Sequence, residues 1–209
     1  RIDAFIVPSE FTLGKLNVYG IPLKKLNHIP TFFNLKEKNP VVDYKPFVLF
    51  VGRIEKQKGL MTLVKAFEEL PYELKIIGFS NDGYEDELKN YLGRPINGDL
   101  NVEESTAYGK NGNIHFLGRK NFEEIVPYLK SCLCTTVQWY DNFPNVVLES
   151  YAYKKAVVAT DFGSLQYMVD EGKTGMKFKY ADLEDFRKKI TYLMEHPEET
   201  KKMGENGYK

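Results

Sequence analysis

Residues 47–60 read FVLFVGRIEKQKGL. Five apolar residues in succession, ended by Gly52, predict a strand covered on both faces, as in a parallel sheet. Apolar side chains then recur at helical spacing, at Leu60, Leu63, Val64, Phe67 and Leu70. This stretch therefore predicts a buried strand, a charged turn and an amphipathic helix in direct succession.

The same alternation continues in both directions along the chain. Further strands are predicted at residues 4–7, 74–78, 114–117, 133–138, 156–160 and 176–178, and an extended run at 26–33. Helices are predicted at 10–19, 60–70, 84–92, 122–130, 145–153, 165–170, 182–195 and 197–208. Residues 93–112 show no period and are predicted to be one long loop. Alternating strands and helices predict an α/β fold, a Rossmann-like parallel sheet with helices on both faces.

A polar, charged and proline-bearing segment at residues 34–46 predicts a linker. We therefore divide the chain into residues 1–45, the end of one domain with its linker, and 46–209, a second domain. The sequence opens with Arg1 directly on an apolar run, so we expect a piece of a longer chain.

Composition excludes several classes of protein. Formal net charge is zero, which gives no general attraction for nucleic acid. Cys132 and Cys134 are too few for a zinc site and suit no disulfide framework, so we expect two buried thiols in a reducing compartment. The three histidines have no catalytic or metal-binding spacing. No apolar run is long enough for a membrane span, and no signal peptide is visible.

The turn after the strand at 47–51 is the first candidate site, since parallel sheets bind ligands beyond the carboxyl ends of their strands. Gly52 allows close approach of the backbone to a ligand. Arg53 offers a bidentate fork and Lys58 a point charge beside a helix N-terminus, a combination suited to a diphosphate. A solvated charged loop is the alternative. Neither the P-loop nor the GxGxxG fingerprint occurs here.

The segment after the strand at 133–138 is the second candidate site. Asp141 lies on the loop, and Glu149 lies about one turn into the following helix, so both face the same crevice as Arg53. Pro144 suits the start of that helix. A carboxylate at the depth of Glu149 suits two vicinal ribose hydroxyls. The alternative is that Asp141 caps the helix and Glu149 is a surface residue.

Taken together and in order, these segments resemble family 4 glycosyltransferases, which have the GT-B fold. The matching segments cover nearly the whole chain: residues 47–53 with Lys58 and Gly59, 74–78, 113–118, the carboxylate pair Asp141 and Glu149 running on to 160, and 172–175. Residues 4–34 resemble the end of the N-terminal, acceptor-binding domain. The resemblance implies that most of that domain lies upstream and that residues 46–209 are the C-terminal, donor-binding domain.

The resemblance implies a role for each matched residue. Arg53 and Lys58 hold the donor diphosphate and stabilise its developing charge, Glu149 binds the ribose, and Asp141 contacts the transferred sugar. The backbone at the start of the helix contacts the sugar or the phosphates, at Phe143, Pro144 and Asn145. The first acid of the pair is usually Glu in the family and is Asp141 here. Residues 163–167 read GSLQY where the family often has a GGxxE segment.

The implied activity is a retaining transfer from a nucleotide-sugar donor, without a metal or another cofactor, to a glycan or lipid-linked acceptor. The implied location is the cytoplasm, with peripheral contact at the inner face of the membrane. Two alternatives stay open: a donor-binding fragment that is inactive alone, and a GT-B sugar-nucleotide epimerase. A phosphorylase would need a pyridoxal-phosphate lysine site, for which the sequence gives no signal.

Overall fold

A computed structural model describes residues 2–34, 37–93, 107–139 and 143–209. The strands are β1 (Phe5–Val7), β2 (Leu26–His28), β3 (Phe47–Val51), β4 (Glu73–Ile77), β5 (Ala107–Tyr108), β6 (Ile114–Phe116), β7 (Cys134–Val137), β8 (Ala156–Thr160) and β9 (Gly175–Phe178). The helices are α1 (Glu10–Val18), α2 (Leu60–Phe67), α3 (Tyr84–Leu92), α4 (Phe122–Ser131), α5 (Asn145–Ala152), α6 (Leu165–Met168), α7 (Leu183–Glu195) and α8 (Pro197–Tyr208).

Within the described residues the strands form two sheets. The larger has the order β5-β6-β4-β3-β7-β8-β9, and all its neighbours are parallel except β5 and β6. The smaller consists of β1 and β2, which pair in parallel. The predicted α/β class with a parallel sheet is therefore confirmed, and residues 47–60 form β3, the charged turn and the first residue of α2.

Helices cover both faces of the larger sheet because alternate side chains of a strand point in opposite directions. Val48 and Phe50 pack into a core with α2, α3 and α7. Phe47 and Leu49 pack on the opposite face, against Leu129 of α4. The continuous apolar run of β3 is therefore explained by two cores, one on each side of the strand.

One expectation from the sequence needs correction. The single loop predicted over residues 93–112 is wrong at Ala107–Tyr108, which form β5 and pair antiparallel with β6. A strand of two residues contains too little alternation for a sequence pattern to register. The extended run at 26–33 was predicted to be broken by Pro30, and its strand β2 covers only Leu26–His28, since Pro30 has no N–H to donate to a neighbouring strand.

Residues 37–46 have no regular secondary structure and are hydrogen-bonded to segments that pack on the larger sheet. The Asp43 N–H donates to the carbonyl of Lys130 at 2.8 Å, and the Lys45 N–H donates to that of Ser131 at 2.7 Å. Lys155, which is fully buried, donates from Nζ to the Asp43 carbonyl. This segment is therefore held beside the larger sheet, and we call residues 37–46 the strap.

Cys132 and Cys134 are buried free thiols, as expected from their apolar surroundings. Burial raises the pKa of the Cys132 thiol to about 12. A thiol with such a pKa stays protonated at neutral pH and is a poor nucleophile and metal ligand. The structure therefore gives both cysteines a packing role.

Candidate functional site

The candidate site lies where the strand order of the large sheet reverses. From β3 the chain proceeds to β4 and β6 on one side, whereas from β7 it proceeds to β8 and β9 on the other. The loops that follow β3 and β7 therefore leave in opposite directions and open a crevice between them, the usual ligand site of such sheets. A cavity of about 270 Å³ occupies this position.

Most of the predicted site residues line this one cavity. Its wall includes Gly52, Arg53, Lys58, Pro144, Asn145 and Glu149. Residues more than 80 positions apart in the sequence are thus brought together by the pairing of β3 with β7. Asp141 lies outside the described residues, so its role stays a prediction.

Phe143 is placed differently from the other predicted residues. Its side chain lines a second cavity, of about 490 Å³, whose wall also includes Val147, Leu148 and Tyr151 of α5. Helix α5 separates the two cavities, because Val146 and Glu149 of the same helix line the first one.

Arg53 carries its charge at the mouth of the first cavity. Its side chain is 55% exposed, and Nη1 lies 2.6 Å from Oε1 of Glu55. Glu55 also accepts a hydrogen bond from Nε2 of Gln57 at 2.6 Å. A guanidinium has five N–H donors, so an anion in the cavity can bind Arg53 while Glu55 holds one of its edges.

Lys58 reaches the cavity because the chain turns sharply just before α2. Residues Lys56–Lys58 form a 3₁₀ turn, and Gly59 follows with a φ of 70°. A Cβ at Gly59 would lie 3.0 Å from Cβ of Gln138 and 3.2 Å from Cε3 of Trp139. Glycine is therefore favoured at this position for two reasons, the left-handed backbone and the close approach of the two loops.

Glu149 is a partly buried carboxylate in the wall of the cavity. Burial raises the pKa of Glu149 above its usual value. Among the described residues we find no hydrogen bond or ion pair that stabilises its charge. A carboxylate in such a position gains from a ligand that donates hydrogen bonds, and two vicinal hydroxyls would supply them.

The N-terminus of α5 adds backbone donors to the same wall. Pro144 is the cap residue and forms no side-chain hydrogen bond to the first turn, and both Pro144 and Asn145 line the cavity. The first N–H groups of a helix have no acceptors within the helix. Together with the helix dipole, they favour an anion or a polar oxygen at this point.

Gln138 was not predicted from the sequence as a site residue, yet it lies in the cavity wall although it is only 3% exposed. The Thr136 hydroxyl donates to the Val158 carbonyl at 3.1 Å and accepts from Nε2 of Gln138 at 2.7 Å. This chain fixes the orientation of the amide. Oε1 of Gln138 finds no hydrogen-bond partner in the described residues. Its position directly after β7 is the signal that could have revealed it.

A further cavity, of about 320 Å³, was also not predicted. It shares Gly52 and Arg53 with the first cavity and extends past Phe79 to Arg119 and Lys120, after β6. The Arg119 guanidinium lies over the Phe79 ring, 4.6 Å from its centroid. The loops after β3, β4 and β6 therefore form a cationic extension of the crevice, which suits an extended anionic ligand.

Two absences apply to the described ranges alone. No group of three or more histidine, cysteine or acidic side chains there is arranged to hold a metal ion. None of the helices described combines the length and the apolarity needed to cross a membrane.

Comparison with known families and proteins gives one consistent result. The profile of the family "Glycosyl transferases group 1" matches residues 31–209. An uncharacterized glycosyltransferase of Methanocaldococcus jannaschii is 31% identical over 166 residues, which are 79% of this chain and 42% of that protein. The N,N'-diacetylbacillosaminyl-diphospho-undecaprenol alpha-1,3-N-acetylgalactosaminyltransferase of Campylobacter jejuni is 30% identical over 181 residues, 84% of this chain and 43% of that one. The chain thus spans less than half the length of these relatives.

Solved structures share the fold. The Anabaena protein HepE, crystallised with UDP and glucose, superposes with a TM-score of 0.80 at 18% identity, over 99% of this chain and 57% of that one. The sucrose-phosphate synthase of Thermosynechococcus elongatus gives a TM-score of 0.79 at 23% identity, over 99% of this chain and 52% of that one.

Proposed function

This chain belongs to the group 1 family of glycosyl transferases, and we propose that it is the donor-binding half of a retaining, family 4 enzyme that uses a nucleotide sugar. The observation that carries the proposal is the cavity between β3 and β7, because it combines two cations, a helix N-terminus and a carboxylate without a hydrogen-bond donor among the described residues. A nucleoside diphosphate sugar presents the matching groups: a diphosphate, vicinal ribose hydroxyls and sugar hydroxyls.

The diphosphate is bound by Arg53 and Lys58. Charge-assisted hydrogen bonds to phosphate oxygens are about twice as strong as neutral ones. In the transition state the sugar–phosphate bond breaks and negative charge accumulates on the leaving diphosphate. Two fixed cations, assisted by the N–H groups around Phe143, Pro144 and Asn145, stabilise this charge more than that of the bound donor, and the reaction is accelerated.

Glu149 accepts hydrogen bonds from the two ribose hydroxyls, and Asp141 contacts the transferred sugar. Gly52 allows the donor to approach the end of β3. The cations replace a metal ion at the leaving group, so the enzyme needs no divalent metal and no other cofactor. The roles of the residues that line the first cavity are supported by their common position there. The roles of Asp141 and Phe143 rest on the family resemblance.

The domain division follows from the same proposal. Residues 1–45 are the end of the N-terminal acceptor domain and its linker, and 46–209 are the donor domain. The separate pairing of β1 with β2 supports this division, as does the strap at residues 37–46. The N-terminal domain of the complete enzyme supplies the rest of the acceptor site.

The acceptor is a glycan or a lipid-linked glycan. The Campylobacter relative is named for transfer to a diphospho-undecaprenol-linked sugar. This similarity supports the proposal that the complete protein is a cytoplasmic enzyme of polysaccharide biosynthesis with peripheral contact to the membrane. Two alternatives remain in the same class of site: a chain that binds the donor but transfers nothing alone, and a sugar-nucleotide epimerase.

Calorimetric titration of the chain with UDP, GDP and ADP, with and without EDTA, tests the proposal. We expect one nucleoside diphosphate to bind more tightly than the others, with the same affinity in EDTA. Absence of binding by all three would contradict the donor site, and loss of binding in EDTA would contradict the metal-independent mechanism. Formation of a glycoside in the presence of the N-terminal domain would separate a transferase from an epimerase.

A further inference from the structure

The exposed large hydrophobic side chains of residues 47–93, 107–139 and 143–209 have an unusual composition. All of them are aromatic: Tyr91, Phe162, Tyr167 and Tyr180. Three of these four lie in the segments that follow β8 and β9 at the carboxyl edge of the sheet. Exposed aromatic side chains concentrated at one place usually indicate a binding surface.

Two of these rings form a row with Trp139. The Trp139 and Tyr180 ring centroids lie 4.6 Å apart, and those of Tyr180 and Phe162 lie 5.2 Å apart. We call Trp139, Tyr180 and Phe162 the aromatic row. Tyr180 is 42% exposed and Phe162 is 44% exposed, so both present ring surface to solvent.

The aromatic row is continuous with the candidate donor cavity, because Trp139 lines that cavity. At its other end the row approaches Phe11 of α1, whose ring centroid is 6.4 Å from that of Phe162. It therefore runs from the cavity to residues 2–34, the part of the chain that we assign to the acceptor domain.

A polar pair flanks the row. Asp161 directly precedes Phe162, and its side chain is 53% exposed. Nζ of Lys177 lies 3.8 Å from Oδ1 of Asp161. A ligand on the row can therefore place an apolar face on the rings and hydroxyl groups beside a carboxylate and an ammonium group, which accept and donate hydrogen bonds.

We propose that the aromatic row binds a glycan acceptor by stacking its pyranose rings. The inference rests on the proposed function and specifies its acceptor class. One face of a pyranose carries mostly C–H bonds and packs on an aromatic ring, while its hydroxyls lie at the rim. The Asp161–Lys177 pair beside the rings favours a sugar over a lipid chain, because only the sugar has hydroxyls that can bond to a carboxylate and an ammonium group.

The continuity with the cavity selects an acceptor over an unrelated sugar ligand. A glycan that stacks on Phe162 and Tyr180 directs its end toward Trp139 and hence toward the cavity that we assign to the donor. The row holds the acceptor and does not take part in the chemical step.

Trp139 makes the test direct, because it is the only tryptophan in the chain. Its fluorescence is measured during titration with maltotriose, α-1,6-mannotriose and chitotriose, with and without saturating UDP. We expect at least one trisaccharide to change the emission saturably. Tyr180→Ala and Phe162→Ala should each weaken the apparent affinity for it by about two- to tenfold, whereas Tyr180→Phe, which keeps the ring, should retain it.

Tyr91→Ala is the matched control, since Tyr91 is 46% exposed and lies on α3, away from the row. Urea unfolding of each variant excludes loss of the fold as the cause. The proposal is overturned if no trisaccharide changes the emission, or if both alanine variants bind like the Tyr91 control. It is also overturned if phosphatidylglycerol vesicles alone produce the change. Calorimetry with UDP on the same samples separates this failure from failure of the donor site.

Discussion

At the scale of single residues, the structure shows which charged side chains of the candidate segments line the cavity and which do not. Arg53 and Lys58 line the same cavity from one loop, and Glu149 lines it from a helix that follows another strand. Lys56 belongs to the same charged turn but pairs with Glu87, at 3.0 Å, and does not line the cavity. The turn therefore contains both candidate ligands and a natural control.

Arg53→Ala and Lys58→Ala should each weaken binding of the preferred nucleoside diphosphate by about 1.5–3 kcal/mol, because each removes charge-assisted hydrogen bonds to phosphate. Lys56→Ala should leave the affinity nearly unchanged. Calorimetry on the three variants is the measurement. If Arg53→Ala and Lys58→Ala bind as tightly as the unsubstituted chain, the phosphate site is contradicted. Equal losses in all three variants would indicate only a general effect of positive charge.

Glu149→Gln should weaken binding of a ribonucleoside diphosphate more than that of its 2′,3′-dideoxy analogue, because the amide offers one acceptor oxygen where the carboxylate offers two. The pH dependence has a definite sign. Since burial raises the pKa of Glu149, the carboxylate is lost at a higher pH than usual, and affinity should fall as the solution is acidified through that pKa. In Glu149→Gln this part of the fall should disappear, and an unchanged profile would argue against the ribose contact.

At the scale of elements, the contact between the loops after β3 and β7 determines the shape of the crevice. Gly59 stands between the 3₁₀ turn and α2, against Gln138 and Trp139. Gly83 precedes α3 with a similar φ, 77°, but a Cβ there would meet open space. Comparing alanine variants of the two glycines therefore distinguishes the cost of a left-handed backbone, which both share, from the cost of crowding Gln138, which only Gly59 has.

Gly59→Ala and Gly83→Ala should each lower the free energy of unfolding by about 1–2 kcal/mol, because an L-residue is disfavoured in the left-handed region. Gly59→Ala should cost more than Gly83→Ala, since its Cβ also crowds Gln138. Only Gly59→Ala should weaken nucleotide binding. Urea unfolding with parallel calorimetry measures both effects; identical results for the two variants would mean that the loop contact does not shape the site.

At the scale of the whole molecule, the strap at residues 37–46 joins the small sheet to the large one and is held by Lys155. The Lys155 ammonium lies 3.8 Å from the centroid of the Tyr44 ring and donates to the Asp43 carbonyl. Burial lowers the pKa of Lys155 to about 8 from its usual 10.5. The folded protein therefore releases this proton at a pH where the unfolded chain still binds it.

The consequence is a stability difference with a known sign. Between pH 8 and 10.5 the unfolded state binds more protons at Lys155, so this residue makes unfolding less favourable as the pH rises. Relative to Lys155→Met, the native protein should gain about 2–3 kcal/mol of unfolding free energy across this interval. The comparison with the variant is necessary because the raised pKa values of Cys132 and Tyr44 act in the opposite direction. Urea unfolding at pH 7.5 and at pH 10 measures the difference.

Sequence alone was sufficient for the fold class because apolar periodicity reports burial directly. The apolar run of β3, the period of α2 and the apolar residues 156–159 of β8 predicted their elements, and the burial of these strands and of one face of the helix confirms them. The helices predicted at 10–19 and 182–195 begin within one residue of the predicted positions, at Glu10 and Leu183. These features depend on neighbouring residues in the chain, so the sequence contains the information needed to predict them.

Tertiary structure alone decided which residues meet. Strand order is set by pairing between distant segments, and the pairing of β3 with β7 places the loops that follow them side by side. The close approach of Gly59 to Gln138 is one result of this arrangement. The buried amide of Gln138, the cationic extension at Arg119 and the aromatic row leave no periodic trace, because each consists of isolated side chains at the ends of different strands. The sequence by itself determined the class of fold and the kinds of group available, whereas the arrangement of those groups into one crevice followed only from the sheet.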